Sequence, residues 1–245
     1  IVFNGEIYNH LSLRQKIDDY VFKTKSDTET LLALYIKYGI SALGMCDGMF
    51  AFAIYDQKQK TIFLSRDRAG EKPLYYGWQG NTFLFASELK SLKVHPVFNA
   101  EIDRDALASF MRHGYIPAPQ SIYTGIKKLP PGNLIKIPLG EPCDSKPVKY
   151  WSLENVARQG SQMPFVGSDG DAVDSLEAKL SESIASQQLS DVPIGAFLSG
   201  GIDSSTIVAL MQAQSNRPIN TFTIGFNEKQ YNEASHAKSV AQYLG

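Results

Sequence analysis

Residues 198–205 read LSGGIDSS, and this stretch decides how the second part of the 245-residue chain folds. It follows an apolar run, PIGAFL at 193–198, and precedes an amphipathic one, TIVALM at 206–211. That order reads as strand, glycine turn and helix start. A turn of this kind leaves backbone N–H groups unpaired, and the helix dipole adds positive potential there. An anion fits such a place, most naturally a phosphate. Gly200 and Gly201 let the backbone come close to it. Ser199, Ser204 and Ser205 supply hydroxyls. Asp203 would repel a bare phosphate, so a magnesium ion is expected between the two. The loop has no Lys at the GxxxxGK[ST] position. Nor is it a GxSxG nucleophile elbow, because Phe197 stands two places before Ser199.

Around this loop the pattern is β/α alternation. Residues 171–188 have helical period, with Val173, Leu176, Leu180 and Ile184 on one face. A strand at 194–198, a helix at 204–214, a strand at 219–224 and a helix at 231–244 follow. That is the order of a parallel sheet. The first half differs. Ile1-Val2-Phe3 reads as the end of a strand, followed by a polar turn at Asn4-Gly5-Glu6. Leu11, Leu13 and Ile17 mark a short helix. Ser26 and Glu29 have capping-box spacing ahead of an amphipathic helix that Gly39 ends. The run 49–55 is apolar nearly throughout, as a strand covered on both faces should be. A strand at 61–65 that returns from it, a hairpin of strands 74–78 and 82–86, a helix start at Glu88, a helix capped by Asp103 and a strand at 133–137 complete an α+β pattern. Tyr75, Tyr76, Trp78, Phe83 and Phe85 read as core. Gly/Pro-rich and Gly/Ser-rich stretches put a boundary within 140–165 and divide the chain into domains at 1–150 and 151–245.

Composition limits the function. With 43% hydrophobic and 20% charged residues and a net charge of −1, nothing points to a nucleic-acid or membrane partner. The longest apolar stretch is too short to span a bilayer. Two cysteines, Cys46 and Cys143, fit a reducing, cytoplasmic setting. The four histidines lack metal-ligand spacing, and each reads as a surface or satisfied core residue.

Five ordered motifs give the first half its meaning: NGEIYNH at 4–10, KSDTE at 25–29, GMFAFAIYD at 48–56, RDRAGEKPLYY at 66–76 and FASELKSL at 85–92. Together they resemble the glutamine-hydrolysing domain of class II glutamine amidotransferases. With SGGIDSS behind them, the chain as a whole resembles the glutamine-dependent asparagine synthetases. The resemblance implies an N-terminal-nucleophile fold, two sheets between helix layers (αββα), then the start of an α/β pyrophosphatase-loop domain of the adenine-nucleotide α-hydrolase type. In such a glutaminase a Cys at the mature N-terminus attacks the glutamine side-chain amide. Asn4 and Gly5 then match an oxyanion hole, through the Asn4 amide and the Gly5 N–H. Glu6 and Asp27 match positions that, with Asn4 and Gly5, hold the glutamine head group. Ser199, Gly200, Gly201, Asp203, Ser204 and Ser205 match the ATP loop, with Leu198 beside the nucleotide and Ile224 on its adenine side. Asp203 matches a magnesium-linked carboxylate. Glutamine, aspartate and ATP are the implied small-molecule partners, and the resemblance allows a homodimer of the full-length protein.

The chain departs from the pattern at position 1, where Ile1 stands and cannot attack an amide. The expectation is of an internal fragment whose upstream segment carries the Cys. Residues 1–245 alone are then inactive, and the aspartate-binding residues lie downstream. Arg66, Asp67, Gly70, Lys72 and Pro73 match a motif without assigned chemistry, and Arg66 with Asp67 reads as a structural ion pair. Two alternatives stay open. One is the same chemistry on another carboxylate, in a sugar acid, a peptide or a β-lactam precursor. The other is a non-catalytic relative that senses glutamine or ATP.

Overall fold

The structure is a computed structural model that describes residues 1–140, 144–189, 192–228, 230 and 232–244. Cys143 and the helix start expected at Tyr231 lie outside the described residues. The chain forms two compact units, Ile1–Gln162 and Met163–Gly245.

The first unit opens with strand β1 (Val2–Ile7), helix α1 (His10–Arg14), helix α2 (Asp27–Tyr38) and a 3-10 segment (Gly39–Met45). Strands β2 (Gly48–Asp56), β3 (Thr61–Arg66), β4 (Tyr75–Gln79) and β5 (Thr82–Ala86) follow, then helices α3 (Leu89–Lys93) and α4 (Arg104–His113). Strands β6 (Ile126–Lys128), β7 (Asn133–Pro138) and β8 (Val148–Lys149) and helix α5 (Leu153–Gln162) close it. One sheet has the order β1-β2-β3-β7-β8 and the other β5-β4-β6. Every pairing in them is antiparallel.

β2 shows why the two sheets stack. Its residues alternate between faces. Phe50, Phe52 and Ile54 pack with Leu31 and Leu34 of α2, whereas Ala51 and Ala53 pack with Leu74, Tyr76 and Leu129. All five are buried, so the apolar run is a strand covered on both sides. Small alanines on the inter-sheet face let the second sheet approach, and Trp78, Phe83 and Phe85 fill the space there. Leu89 and Leu92 of α3 cover the outer face of the second sheet at Leu84 and Ile126. The layers are helix, sheet, sheet, helix, the αββα order expected.

Two local expectations are corrected. Asn4-Gly5-Glu6 is not a turn. β1 runs straight through it, with Asn4 opposite Ala51, Gly5 opposite Phe50 and Glu6 opposite Met49. Glycine serves close approach here, because a Cβ on Gly5 (φ +154°) would stand 2.1 Å from the Met49 carbonyl oxygen. The capping box at Ser26 is only half made. The Ser26 hydroxyl accepts from the Thr28 N–H, but Glu29 turns back to the Lys23 and Thr24 amides and the Thr24 hydroxyl. The groups of the preceding loop are the better partners, and the Thr24 hydroxyl, then the Lys23 amide, hold the Glu29 carboxyl down at about 2.

The second unit contains α6 (Asp169–Gln187), β9 (Gly195–Phe197), α7 (Ile202–Ala213), β10 (Asn220–Phe222) and α8 (Ala234–Leu244). Ser168 and Asp171 make a full capping box at the start of α6. Of its apolar face, Ile184 is buried while Val173 and Leu176 are exposed. β9 and β10 pair in parallel. Leu198, Val208 and Ala237 form the small core behind them.

Candidate functional site

The first site lies on the open edge of the five-stranded sheet, where β1 has a neighbour on one side only. The hydrogen-bond alternation of an antiparallel ladder settles which backbone groups face that edge. Tyr8 N–H donates to the Asp47 carbonyl, so even-numbered residues of β1 bond to β2. Phe50 turns the other way. It accepts from the Asp67 N–H, and its own N–H donates to the Asp67 carboxylate. Gly5, opposite Phe50, therefore stands in a non-hydrogen-bonded pair with its N–H directed to the open edge. Ile7 is in the same phase, and its outward N–H donates to Asp27 Oδ2 at 2.9 Å. The edge thus carries a backbone donor at Gly5 and a carboxylate at Asp27, separated by two strand residues, about 7 Å.

Asn4 and Glu6 point to the opposite face of β1 from Phe3 and Ile7, and both are exposed. The Asn4 side-chain amide donates to Ser87 Oγ at 2.9 Å. Ser87 follows β5, so this bond ties the edge of one sheet to the end of a strand in the other. Tyr8 is placed by the same strand. Burial, then the negative charges of Glu71, Glu6 and Asp67, push its hydroxyl above the ordinary value. Asn4, Gly5 and Glu6 thus share the edge strand, and Asp27 joins that strand through the Ile7 N–H.

Supports for this edge come from far along the chain. The Asn9 amide donates to the Met45 carbonyl and to Asp47, fixing the turn after β1. Arg14 donates to the Thr24 and Ser26 carbonyls and to Thr30 Oγ1, holding the loop that leads to Asp27. The Asp67 carboxylate is fully buried and accepts from the Phe50, Glu71 and Lys72 amides. Arg66 donates to the Gly70, Lys72 and Leu129 carbonyls. The expected Arg66–Asp67 ion pair is therefore corrected: each charged group is spent on backbone partners instead, which shapes the 67–72 loop.

Two residues escaped sequence reasoning. Ser87 sits inside the quoted FASELKSL motif, but nothing in spacing connects it to Asn4. His10 is, from the sequence, a satisfied or surface histidine. Its Nδ1 is buried and has no partner among the described residues, and burial lowers its pKa while nearby Asp27 opposes the shift. Cys46, the one cysteine among the described residues, is buried in the helix-side core and donates to the Ala42 carbonyl. Burial pushes its thiol up to about 12, which rules it out as a nucleophile.

The second site is the loop from Leu198 to Ser205, at the carboxyl ends of β9 and β10. Ligands of open α/β sheets bind at such strand ends. Leu198 has its side chain in the core, and its backbone is bonded to the Phe222 carbonyl and the Thr223 hydroxyl. Ser199 N–H donates to Ser204 Oγ, and the two hydroxyls are 2.8 Å apart. Gly201 N–H donates to Ser199 Oγ. The serines thus bind the loop to itself. Gly201 caps α7 without a side-chain cap bond, so the amides of Ile202, Asp203 and Ser204 stay available at the helix start. Gly200 needs its glycine: at φ +85° a Cβ would stand 2.8 Å from His236 Cβ and 2.9 Å from the Ala237 nitrogen of α8. Ser205 Oγ is buried without a partner among the described residues, Asp203 lies in the first turn of α7, and Ile224 is exposed just past β10.

A Cys, His, Asp or Glu cluster of three or more able to hold a metal ion does not occur among the described residues. Nor is any described helix long and apolar enough to cross a membrane.

Comparison with known proteins follows the same division. Residues 175–245 match the asparagine synthase family profile. A Methanocaldococcus jannaschii protein, provisionally named asparagine synthetase [glutamine-hydrolyzing] 2, is 38% identical over 247 residues, covering all of this chain and 46% of its own length. Asparagine synthetase [glutamine-hydrolyzing] 1 of Bacillus subtilis is 36% identical, covering all of this chain and 37% of its own. The chain therefore spans less than half the length of these curated relatives. A solved structure of the allosteric regulatory enzyme of purine biosynthesis covers 92% of this chain and 44% of its own, at 20% identity and a TM-score of 0.42, too low to bear on the fold. The profile of the glutamine amidotransferase domain matches residues 1–151, more than half of the chain, and the chain belongs to that family.

Proposed function

We propose that this chain belongs to a glutamine-dependent asparagine synthetase, a carbon–nitrogen ligase. Its first domain, 1–150, is the glutaminase and its second, 151–245, begins the ATP-binding domain. The observation that carries the reading is the Gly5 N–H on the open sheet edge, flanked by the Asn4 amide and the Asp27 carboxylate. In glutamine hydrolysis, a nucleophile adds to the side-chain amide carbon, the carbonyl oxygen becomes an oxyanion, ammonia leaves with the proton the nucleophile gave up, and water then cleaves the acyl group to release glutamate. Asn4 and Gly5 donate to that oxygen. Loss of one such donor typically costs about 10²–10³ in kcat. Asp27, with Glu6, pairs with the substrate α-ammonium. The thiol nucleophile that the resemblance calls for is not Cys46.

The second site suits ATP. Free amides at the start of α7 and the Ser199, Ser204 and Ser205 hydroxyls favour phosphate, and Gly200 supplies the positive φ that turns the loop against α8. Ile224 offers an apolar surface at the adenine side, and Leu198 acts beside the nucleotide by tying the start of the loop to Phe222 and Thr223. Magnesium fits only partly from this chain. Asp203 is a single carboxylate, so phosphate oxygens and water would complete the shell, as magnesium commonly requires. When bound, the ion neutralises phosphate charge. The aspartate β-carboxylate then attacks the α-phosphorus, pyrophosphate leaves, ammonia attacks the acyl carbon and AMP leaves. Few cysteines and the reaction class favour the cytoplasm.

The test uses the full-length protein with glutamine, ATP, magnesium and aspartate. Pyrophosphate release that depends on aspartate, with asparagine as product, is expected. Pyrophosphate release indifferent to aspartate would overturn aspartate as the acceptor.

A further inference from the structure

We propose that Ser87 is a positioning residue for the Asn4 amide, locking one donor of the oxyanion hole before substrate arrives. The proposal rests on the glutaminase reading given above. Asn4 lies on an edge strand and is exposed, and free side chains in such places change rotamer in picoseconds to nanoseconds. An amide that must be aimed at a developing charge cannot be left to rotate, because donors that reorganise during the reaction lose much of their worth. The described structure gives the Asn4 side chain one anchor, the 2.9 Å bond from Nδ2 to Ser87 Oγ, across 83 residues of sequence.

The geometry of that anchor suits the task. The Asn4 NH2 group has two N–H bonds. One is donated to Ser87, which fixes both side-chain torsions and leaves the second N–H for the oxyanion. Ser87 is itself held at a rigid place. It follows β5, which is paired along its length with β4, and it precedes α3, whose Leu89 and Leu92 pack under the second sheet. The hydroxyl therefore belongs to the rigid second sheet, while the amide it holds belongs to the open edge of the first. Glu88, next in sequence, pairs with Lys90 and does not compete for Asn4.

The test measures glutamine hydrolysis by the full-length protein for wild type, Ser87→Ala, Ser87→Thr, Asn4→Ala and the Asn4→Ala/Ser87→Ala double variant, with thermal unfolding of each. Ser87→Ala is expected to lower kcat about tenfold, less than the loss of the donor itself, with KM for glutamine and the unfolding temperature unchanged. Ser87→Thr keeps the hydroxyl and should recover most of the rate. In the Asn4→Ala background, removal of Ser87 should cost nothing further, because there is no amide left to hold. Unchanged kcat in Ser87→Ala, a loss carried by KM instead, or a full additional loss in the double variant would each overturn the proposal. If wild type hydrolyses glutamine and Asn4→Ala impairs it while Ser87→Ala does not, only the positioning role falls. If wild type releases no ammonia, the glutaminase reading falls with it.

Discussion

The edge of β1 and the loop after β9 both present backbone donors, but they are assembled in opposite ways. Around β1 the decisive bonds join residues far apart in sequence: Ile7 to Asp27, Phe50 to Asp67, Asn4 to Ser87 and Tyr150 to the Arg66 carbonyl. Around β9 they join Ser199, Gly201 and Ser204, within six residues. The first site exists only when two sheets and a helix layer have formed. The second is closed by its own serines and needs only β10 and α8 behind it. A donor for a transient oxyanion must be held rigidly, which long-range bonds achieve. A phosphate brings its own charge and needs only a correctly shaped turn.

Substitutions that disturb one style of construction and leave the other alone sharpen this contrast. The largest effect is expected at Gly5. Gly5→Ala would force a Cβ into the Met49 carbonyl, at a φ that L-residues rarely adopt. A loss on the order of 3 kcal/mol or more is expected, with the first unit losing its cooperative unfolding transition and the second unit keeping its own. Calorimetry on the variant checks this. An unchanged transition would mean that β1 does not pair as described.

Ser204→Ala should act the other way round. It removes the partner of the Ser199 N–H and of the Ser199 hydroxyl, at a cost of about 1 kcal/mol confined to the second unit. A comparable loss in the first unit would break the separation between the two regions.

A smaller effect, readable only by pH, is expected at Glu29. Its carboxyl is depressed from 4.5 to about 2, first by the Thr24 hydroxyl and then by the Lys23 amide. A depressed carboxylate contributes order that is complete above its unfolded value and is lost as pH falls through the folded one. The 23–24 amides should therefore shift between pH of about 4.5 and 2 in nuclear magnetic resonance spectra. Glu29→Gln should abolish that titration, and its survival in the variant would assign it to another group.

The same contrast explains what could be read in the sequence. The strands β2 to β5 and β7, the helices α2, α4 and α6 and the whole 198–205 turn follow from periodicity and punctuation, because each is decided locally. Asn4-Gly5-Glu6 misled because Asn-Gly is a turn signal, whereas here the glycine serves the approach of the Met49 carbonyl, a partner 44 places away. α5 escaped because it is polar on average, has no buried residue, and holds Gly160 and Ser161, which read as loop signals. The two-residue β8 and three-residue β6 are fixed by their neighbours β7 and β4, not by their own composition. Ser87 and His10 were visible inside quoted motifs, but their relation to Asn4 and Asp27 exists only in the folded unit.

The central claim is that the open edge at Gly5 and Asp27 receives glutamine. It is tested most directly by ammonia release from glutamine, without ATP, by the full-length protein and its Asp27→Asn variant. The substitution keeps an oxygen for the Ile7 N–H but removes the charge that would pair with the substrate α-ammonium. The account expects wild type to release ammonia and Asp27→Asn to raise KM for glutamine about 10- to 100-fold with kcat largely kept. An unchanged KM in the variant would contradict it.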